Sequence, residues 1–251
     1  MAFVPSEVRA ILKDLVAHLP ILLDGNLVGI YLYGSLTQRA FDPAQSDIDC
    51  IVVTRKRLSD AQVQQVRSWL SHAIRSNPWR ARLQISFLIK DAVLTNNSPA
   101  CLYQFGKLKR IKSDGNPIIW VNVLKTGKTL YGPTPELFVP PIRREILLRA
   151  LVREIGYLRE ELIDKPNSEW RGVQFYRRYA ALTVCRILYT AKKGAVVSKP
   201  QAAKWATEQL PECWRGLIRQ AQQTGEKSSV PLARLRQFVR FAEAQLQSIS
   251  R

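Results

Sequence analysis

Cysteine and histidine are scarce in this chain, and their scarcity removes whole classes of chemistry. Of 251 residues, only four are cysteine and two are histidine. Cys50, Cys101, Cys185 and Cys213 stand far apart with no CxxC pair, and His18 and His72 add no zinc-ligand spacing. Reduced, mostly buried thiols in a cytoplasmic protein are the expectation. Long hydrophobic runs are missing too: none approaches the roughly 18–20 residues of a membrane span. The opening MAFVPSEVRAILKDL lacks the charged n-region and apolar h-region of a secretory signal. Acidic residues are in deficit, 20 against 38 Lys and Arg, for a formal net charge of +18. Residues 1–140 hold 17 basic and 10 acidic side chains and residues 141–251 hold 21 and 10, so both halves are basic. Such a field attracts nucleotides and RNA and repels polycations. A well-solvated basic surface has the same composition.

What is present reads as a folded protein. The hydrophobic fraction is 46%, and the length suits one large domain or two small ones. Val4, Val8, Ile11, Leu12 and Leu15 fall at helical spacing within the first 20 residues. Residues 27–33 (LVGIYLY) form a β-rich run ended by Gly34-Ser35, and residues 48–53 (IDCIVV) form a second. Alternation puts Ile48, Cys50 and Val52 on one face of that strand, and Asp49, Ile51 and Val53 on the other. Residues 59–76 predict an amphipathic helix with Val63, Val66, Leu70 and Ile74 on one stripe, and residues 83–89 (LQISFLI) a third strand. This is an α+β pattern around a mixed sheet. After the prolines at 133, 135, 140 and 141, residues 142–164, 174–193, 198–210 and 231–248 are all helical in pattern. Breakers at Pro166, Gly194, Pro211 and Gly225 separate them. The second half therefore reads as a helical bundle, with the proline-rich stretch as the linker and no internal repeat.

The segment that points to chemistry is Tyr33-Gly34-Ser35, a polar loop, then Ser46-Asp47-Ile48-Asp49. Gly34 lets the backbone turn off the strand and approach a phosphate closely. Neighbouring amides and the Ser35 hydroxyl can donate to phosphate oxygens. Aspartates at i and i+2 at a strand start point to one side, so both can reach a shared Mg²⁺ site. Metal there neutralises a triphosphate and stabilises a pyrophosphate leaving group. Either half of the pattern alone is common on solvated strand ends; the combination is what carries the reading.

GS…SDIDCIVV resembles the signature of the polymerase-β-like nucleotidyltransferase superfamily. The whole chain is similar to the aminoglycoside 3''/9-adenylyltransferase family, which adenylylates streptomycin or spectinomycin. Residues 179–211 (YAALTVCRILYTAKKGAVVSKPQAAKWATEQLP) are similar to that family's helical-domain segment, where an arginine and a lysine contact the nucleotide. Arg186 and Lys199 fall at those positions. The resemblance implies a polymerase-β-like nucleotidyltransferase domain over 1–138 and an α-helical domain over 139–251. It implies transfer of AMP from ATP, with two Mg²⁺ ions on Asp47 and Asp49, to a hydroxyl of an aminoglycoside-type antibiotic. Gly34, Ser35, Ser46, Arg186 and Lys199 would hold the nucleotide, in a monomer.

Four departures qualify that implication. Gln84 stands where the family has a glutamate acting as catalytic base, and a carboxamide has no useful basicity near neutral pH. A differently tuned member, a replaced glutamate and another carboxylate serving as base all remain open readings. Phe175-Tyr176-Arg177-Arg178 replaces a polar segment with acidic members. Glu169-Trp170 resembles an Asp-Trp pair near the drug pocket, but only across a gap. Gln222 to Gly225 replaces a stretch with a nucleotide-proximal tyrosine. An RNA- or tRNA-directed nucleotidyltransferase, which the basic field would suit, and a base-less ATP-binding protein are the competing expectations.

Overall fold

In the computed structural model, residues 4–73, 75–113, 115–223 and 229–249 are described. The chain divides into two compact units, Met1–Pro141 and Ile142–Arg251. Ile74 and Gly225, named above, lie outside the described residues, as does part of the Gln222–Gly225 stretch.

In the first unit, Val8, Ile11, Leu15, Leu19 and Leu23 recur every three or four residues and are all buried along α1 (Ser6–Leu23). Burying each such side chain stabilises the fold by about 1.5–3 kcal/mol. The helix runs through Pro20 for one further turn and ends where Asp24 and Gly25 take left-handed backbone angles. The three expected strands are β1 (Leu27–Tyr33), β2 (Ile48–Thr54) and β3 (Leu83–Ile89), with α2 (Asp60–Ala73) crossing between the last two. Residues 99–131, which carry no assignment in the sequence reading, supply β4 (Pro99–Gln104), β5 (Lys107–Lys112), α3 (Pro117–Thr126) and β6 (Lys128–Tyr131). The strand order is β5-β4-β3-β2-β1-β6, with β2 and β3 parallel and every other pair antiparallel. The sheet is mixed, as the α+β pattern predicts.

The two faces of the sheet differ. Ile48, Cys50 and Val52 of β2 join the core cluster with α1 and α2, where His18 stacks on Trp69 at 5.2 Å between ring centroids. Ile51 pairs with Tyr31, whose ring meets Trp120 of α3 and Phe138, so that face lies under α3. The Tyr31 hydroxyl donates to the Pro133 carbonyl at 2.8 Å.

The second unit is helical. It contains α4 (Arg144–Arg159), extended by a wider π turn over residues 160–164, then α5 (Glu169–Gly172), α6 (Gln174–Lys193), α7 (Lys199–Gln209), α8 (Arg215–Gln222) and α9 (Leu232–Ile249). α6 is its centre: Ala180, Ala181, Val184, Cys185, Leu188 and Ala191 are buried along one side, facing Ala202, Ala203 and Ala206 of α7 and the Leu235–Phe238–Val239 stripe of α9. Small alanines let helix axes approach closely. Gly194 ends α6 in a left-handed conformation, its amide bonded to the Thr190 carbonyl. A capping box of Ser198 and Gln201 starts α7. The short α5 and α8 were not expected from the sequence.

Candidate active site

Strand pairing assembles one end of the sheet. β1 runs antiparallel to β2, so Tyr33 lies opposite Asp49; β2 runs parallel to β3, so Gln84 lies beside Asp49 on the other flank. Gly34, Asp47, Asp49 and Gln84 therefore gather at the end of three neighbouring strands.

Gly34 is required there for two reasons. Its φ of +80° lies in the left-handed region, and a Cβ at this position would sit 2.3 Å from Oδ2 of Asp49. The backbone thus passes directly against the Asp49 carboxylate. The Gly34 amide is not turned outward for a phosphate: it donates to Oδ1 of Asn122 on α3 at 3.3 Å. Asn122 is buried and had no signal in the sequence reading, because α3 itself had none. Ser35 differs: its Oγ is buried and has no hydrogen-bond partner. A buried unpaired hydroxyl is costly, and a phosphate oxygen would satisfy it.

The loop between Ser35 and Asp47 is held by its own polar groups. Asp42 accepts from the Ala44 amide at 2.8 Å and from the Gln45 side chain at 2.7 Å, and its own amide donates to Oγ of Ser46 at 2.9 Å. Arg82, at the entrance to β3, donates to the Pro43 carbonyl at 2.6 Å and to the Ser46 carbonyl. Its guanidinium also lies 4.3 Å from the Trp79 ring centroid. Arg82 thereby fixes the backbone immediately before Asp47, a role that only the folded chain reveals. Ser46 closes the loop through its hydroxyl and keeps its own proton to donate.

Gln84 meets the aspartates directly. Its Nε2 donates to Oδ2 of Asp47 at 3.2 Å. A glutamate at this position could not make that bond while ionised. Among the described residues there is no cluster of three His, Cys, Asp or Glu side chains able to hold a metal. Two carboxylates and an unpartnered hydroxyl nevertheless fit Mg²⁺, which takes one or two protein carboxylates and completes its shell with phosphate oxygens and water. Behind the pair, burial, and secondarily the Asp49 charge, pushes the Cys50 thiol far up, so it stays protonated.

The remaining sequence candidates lie in the second unit. Lys199 opens α7, and its Nζ sits 3.7 Å from the ring centroid of Tyr179 on α6. Arg186 follows Tyr179 by seven residues on α6, two helical turns and about 10 Å along the same face. Trp170 packs edge-on to that same Tyr179 at 5.7 Å, stacks on Tyr176 at 5.2 Å and meets Tyr157 at 5.5 Å. Trp170 and Lys199 thus share one aromatic cluster through Tyr179, a residue the sequence reading did not single out. Glu169, by contrast, is exposed at the start of α5. The two arginines of the divergent segment make backbone contacts: Arg177 donates to the Arg171 carbonyl, and Arg178 to the Ala221 carbonyl at 3.3 Å. They tie α6 to α5 and α8.

Residues 137–246 match the family model of the aminoglycoside adenylyltransferase C-terminal domain. Over 97% of its length the chain is 26% identical to an aminoglycoside (3'')(9) adenylyltransferase of Shigella flexneri, covering 97% of that protein. It is 26% identical to a spectinomycin 9-adenylyltransferase of Campylobacter jejuni, over 80% of this chain and 79% of the other. The chain is a relative of the aminoglycoside 3''/9-adenylyltransferases. A crystal structure of a spectinomycin adenyltransferase from Enterococcus faecalis, solved with ATP and spectinomycin, shares the fold at a TM-score of 0.70. The two are 19% identical, and the match covers 95% of this chain and 99% of that one. In this adenylyltransferase relative, the glycine, the two aspartates and Gln84 sit together on the first unit, and Lys199 and Trp170 both pack on Tyr179 in the second.

Proposed function

We propose that this protein transfers AMP from Mg·ATP to a hydroxyl of an aminoglycoside-type antibiotic, streptomycin or spectinomycin, and releases pyrophosphate. The observation that carries the reading is the strand-end group of Gly34, Asp47, Asp49 and Gln84, in a chain similar to an adenylyltransferase over 97% of its length. Asp47 and Asp49 would hold two Mg²⁺ ions, which when bound neutralise the triphosphate and stabilise the departing pyrophosphate. Gly34 lets the backbone pass against the Asp49 carboxylate, and Ser35 would donate its unpartnered hydroxyl to a phosphate oxygen. Ser46 holds the loop backbone from which Asp47 projects. Arg186 and Lys199 are proposed to contact the nucleotide, and Trp170 with Glu169 the antibiotic.

In the reaction the acceptor oxygen attacks the α-phosphorus, the bond to the bridging oxygen of pyrophosphate breaks, and the acceptor proton passes to solvent water. Gln84 cannot take that proton. It orients Asp47 instead, so transfer proceeds without a general base on β3 and is slow. Base catalysis is typically worth about 10²–10⁴ in rate. The basic field and the arginines around α6 also make the acceptor pocket less hospitable to a polycation. Among the described residues no helix is long and apolar enough to cross a membrane; a cytoplasmic monomer is the proposed working form.

The test is pyrophosphate release from Mg·ATP with and without streptomycin or spectinomycin. Release that depends on either drug supports the proposal. Label transferred from α-labelled ATP to RNA, falling steeply with salt, would point to a nucleic-acid acceptor instead. Binding of Mg·ATP with no release under any of these conditions would leave a nucleotide-binding protein without transfer.

A further inference from the structure

Three consecutive residues at the entrance to β3 hold Asp47 from three sides. Arg82 donates to the Ser46 carbonyl, which belongs to the planar peptide unit joining Ser46 to Asp47. Leu83 pairs with Ile48, the residue after Asp47, in the parallel ladder of β2 and β3. Gln84 donates to the Asp47 carboxylate itself. Apart from the bonds of Asp42, the loop leading to this point has little to fix it. Asp42, Pro43, Ala44 and Gln45 are exposed, between the buried Phe41 and Ile48. Arg82 spans that loop with its second bond, to the Pro43 carbonyl. Its guanidinium is seated on Trp79, which packs on Phe41 at 5.4 Å between ring centroids. Among the described residues Arg82 forms no salt bridge, so its donors go to backbone carbonyls.

We propose that Arg82 is a positioning residue for the aspartate pair, setting how tightly a divalent cation binds there by fixing the peptide unit before Asp47. The inference rests on the proposed metal site at Asp47 and Asp49. Mg²⁺ demands near-ideal octahedral geometry at about 2.0–2.1 Å from its oxygens, so a carboxylate on a loose backbone binds it weakly. Asp49 lies within the ladder of β2, between Tyr33 and Gln84, and the sheet holds it. Asp47 precedes the strand and depends on what holds the loop. Arginine suits the task because its planar fork of donors reaches two carbonyls at once, where a lysine ammonium is a single point charge on a flexible stem. A simple loop staple would account for the bond to Pro43. The bond to Ser46 acts on the backbone of the metal-binding residue itself.

The test titrates the full-length, nucleotide-free protein with Mn²⁺, reading free Mn²⁺ by electron paramagnetic resonance. The parent is compared with Arg82→Gln, Arg82→Lys and Asp47→Asn, the last marking binding at the pair. Circular dichroism and thermal melts check folding; should Arg82→Gln fail to fold, Arg82→Lys, which keeps the charge, decides. The expected result is a Mn²⁺ dissociation constant raised about tenfold or more in both Arg82 variants, with the melting temperature in EDTA within a few degrees of the parent. The Mg²⁺ concentration for half-maximal pyrophosphate release should rise in parallel. Mn²⁺ affinity in Arg82→Lys equal to the parent would overturn the assignment, since charge alone would then suffice. No Mn²⁺ binding by the parent, or binding unaffected by Asp47→Asn, would overturn it too. Weakened Mn²⁺ binding in both Arg82 variants, with no pyrophosphate release by any protein, would uphold the role of Arg82 and remove the transfer reading. Release by the parent, with Mn²⁺ binding equal in the parent and both Arg82 variants, would do the reverse.

Discussion

The Gln84 side-chain amide donates a hydrogen bond to Oδ2 of Asp47, 3.2 Å away, while its backbone pairs beside Asp49 in the parallel register of β2 and β3. One residue thus touches one member of the aspartate pair and flanks the other. Replacing its amide by a carboxylate exchanges a donor for an acceptor at the same point. Gln84→Glu is therefore expected to raise kcat for pyrophosphate release by about 10²–10⁴. In EDTA it should lower the melting temperature through repulsion with Asp47, and Mg²⁺ should restore it. Stopped-time pyrophosphate assays and thermal melts with and without Mg²⁺ check both arms.

Gly34→Ala meets two obstacles, the +80° backbone angle and the Asp49 oxygen 2.3 Å from the new methyl group. Backbone strain of this kind costs about 1–3 kcal/mol, and the carboxylate must move to make room. Denaturant unfolding should show a loss in that range, and Mg·ATP affinity should fall further than stability alone explains.

Lys199 stands over the Tyr179 ring at the capped start of α7. Lys199→Met keeps the length of the side chain and removes its charge. Loss of one charge-assisted bond to a phosphate, worth about 1.5–3 kcal/mol, would weaken Mg·ATP binding roughly ten- to a hundredfold. Calorimetry measures this, and a melting temperature within a few degrees of the parent would separate it from unfolding.

Alkaline stability should follow Tyr31. Burial, helped by the Glu136 charge, pushes its phenol up to about 12 from an ordinary value of 10. A group whose folded pKa is raised stabilises fully below its unfolded pKa, and that contribution disappears as pH climbs through the folded value. Stability should therefore fall between about pH 10 and 12, and Tyr31→Phe, though less stable at neutral pH through loss of the bond to Pro133, should show a shallower fall in that window. Urea melts at stepped pH report the slope.

What was legible in the sequence had a short period and apolar residues to mark it. β1, β2 and β3 are dense in Val, Ile and Leu, and α1, α4, α6 and α9 carry clear three- and four-residue stripes. β5 was hidden because KLKRIK buries only Leu108, leaving no alternation to read, and β4 begins with a proline. α3 reads as an apolar run broken only by Asn122, PIIWVNVL, which a strand could also show. At the site, Asp47, Asp49 and Gly34 were legible because they crowd into a short segment. Asn122, Arg82 and Tyr179 were not, because each acts across a sequence separation that only folding closes. Gln84 was found by likeness to the family; its bond to Asp47 required the sheet register.

The central claim is tested most directly by mass spectrometry of spectinomycin and streptomycin after incubation with the parent protein, or with Gln84→Glu, in Mg·ATP. The account predicts a drug adduct heavier by one adenylyl group in both samples, slowly formed by the parent and rapidly by the glutamate variant, and none with Asp49→Asn. Unmodified drug in every sample, at protein concentrations where calorimetry shows Mg·ATP bound, would contradict it.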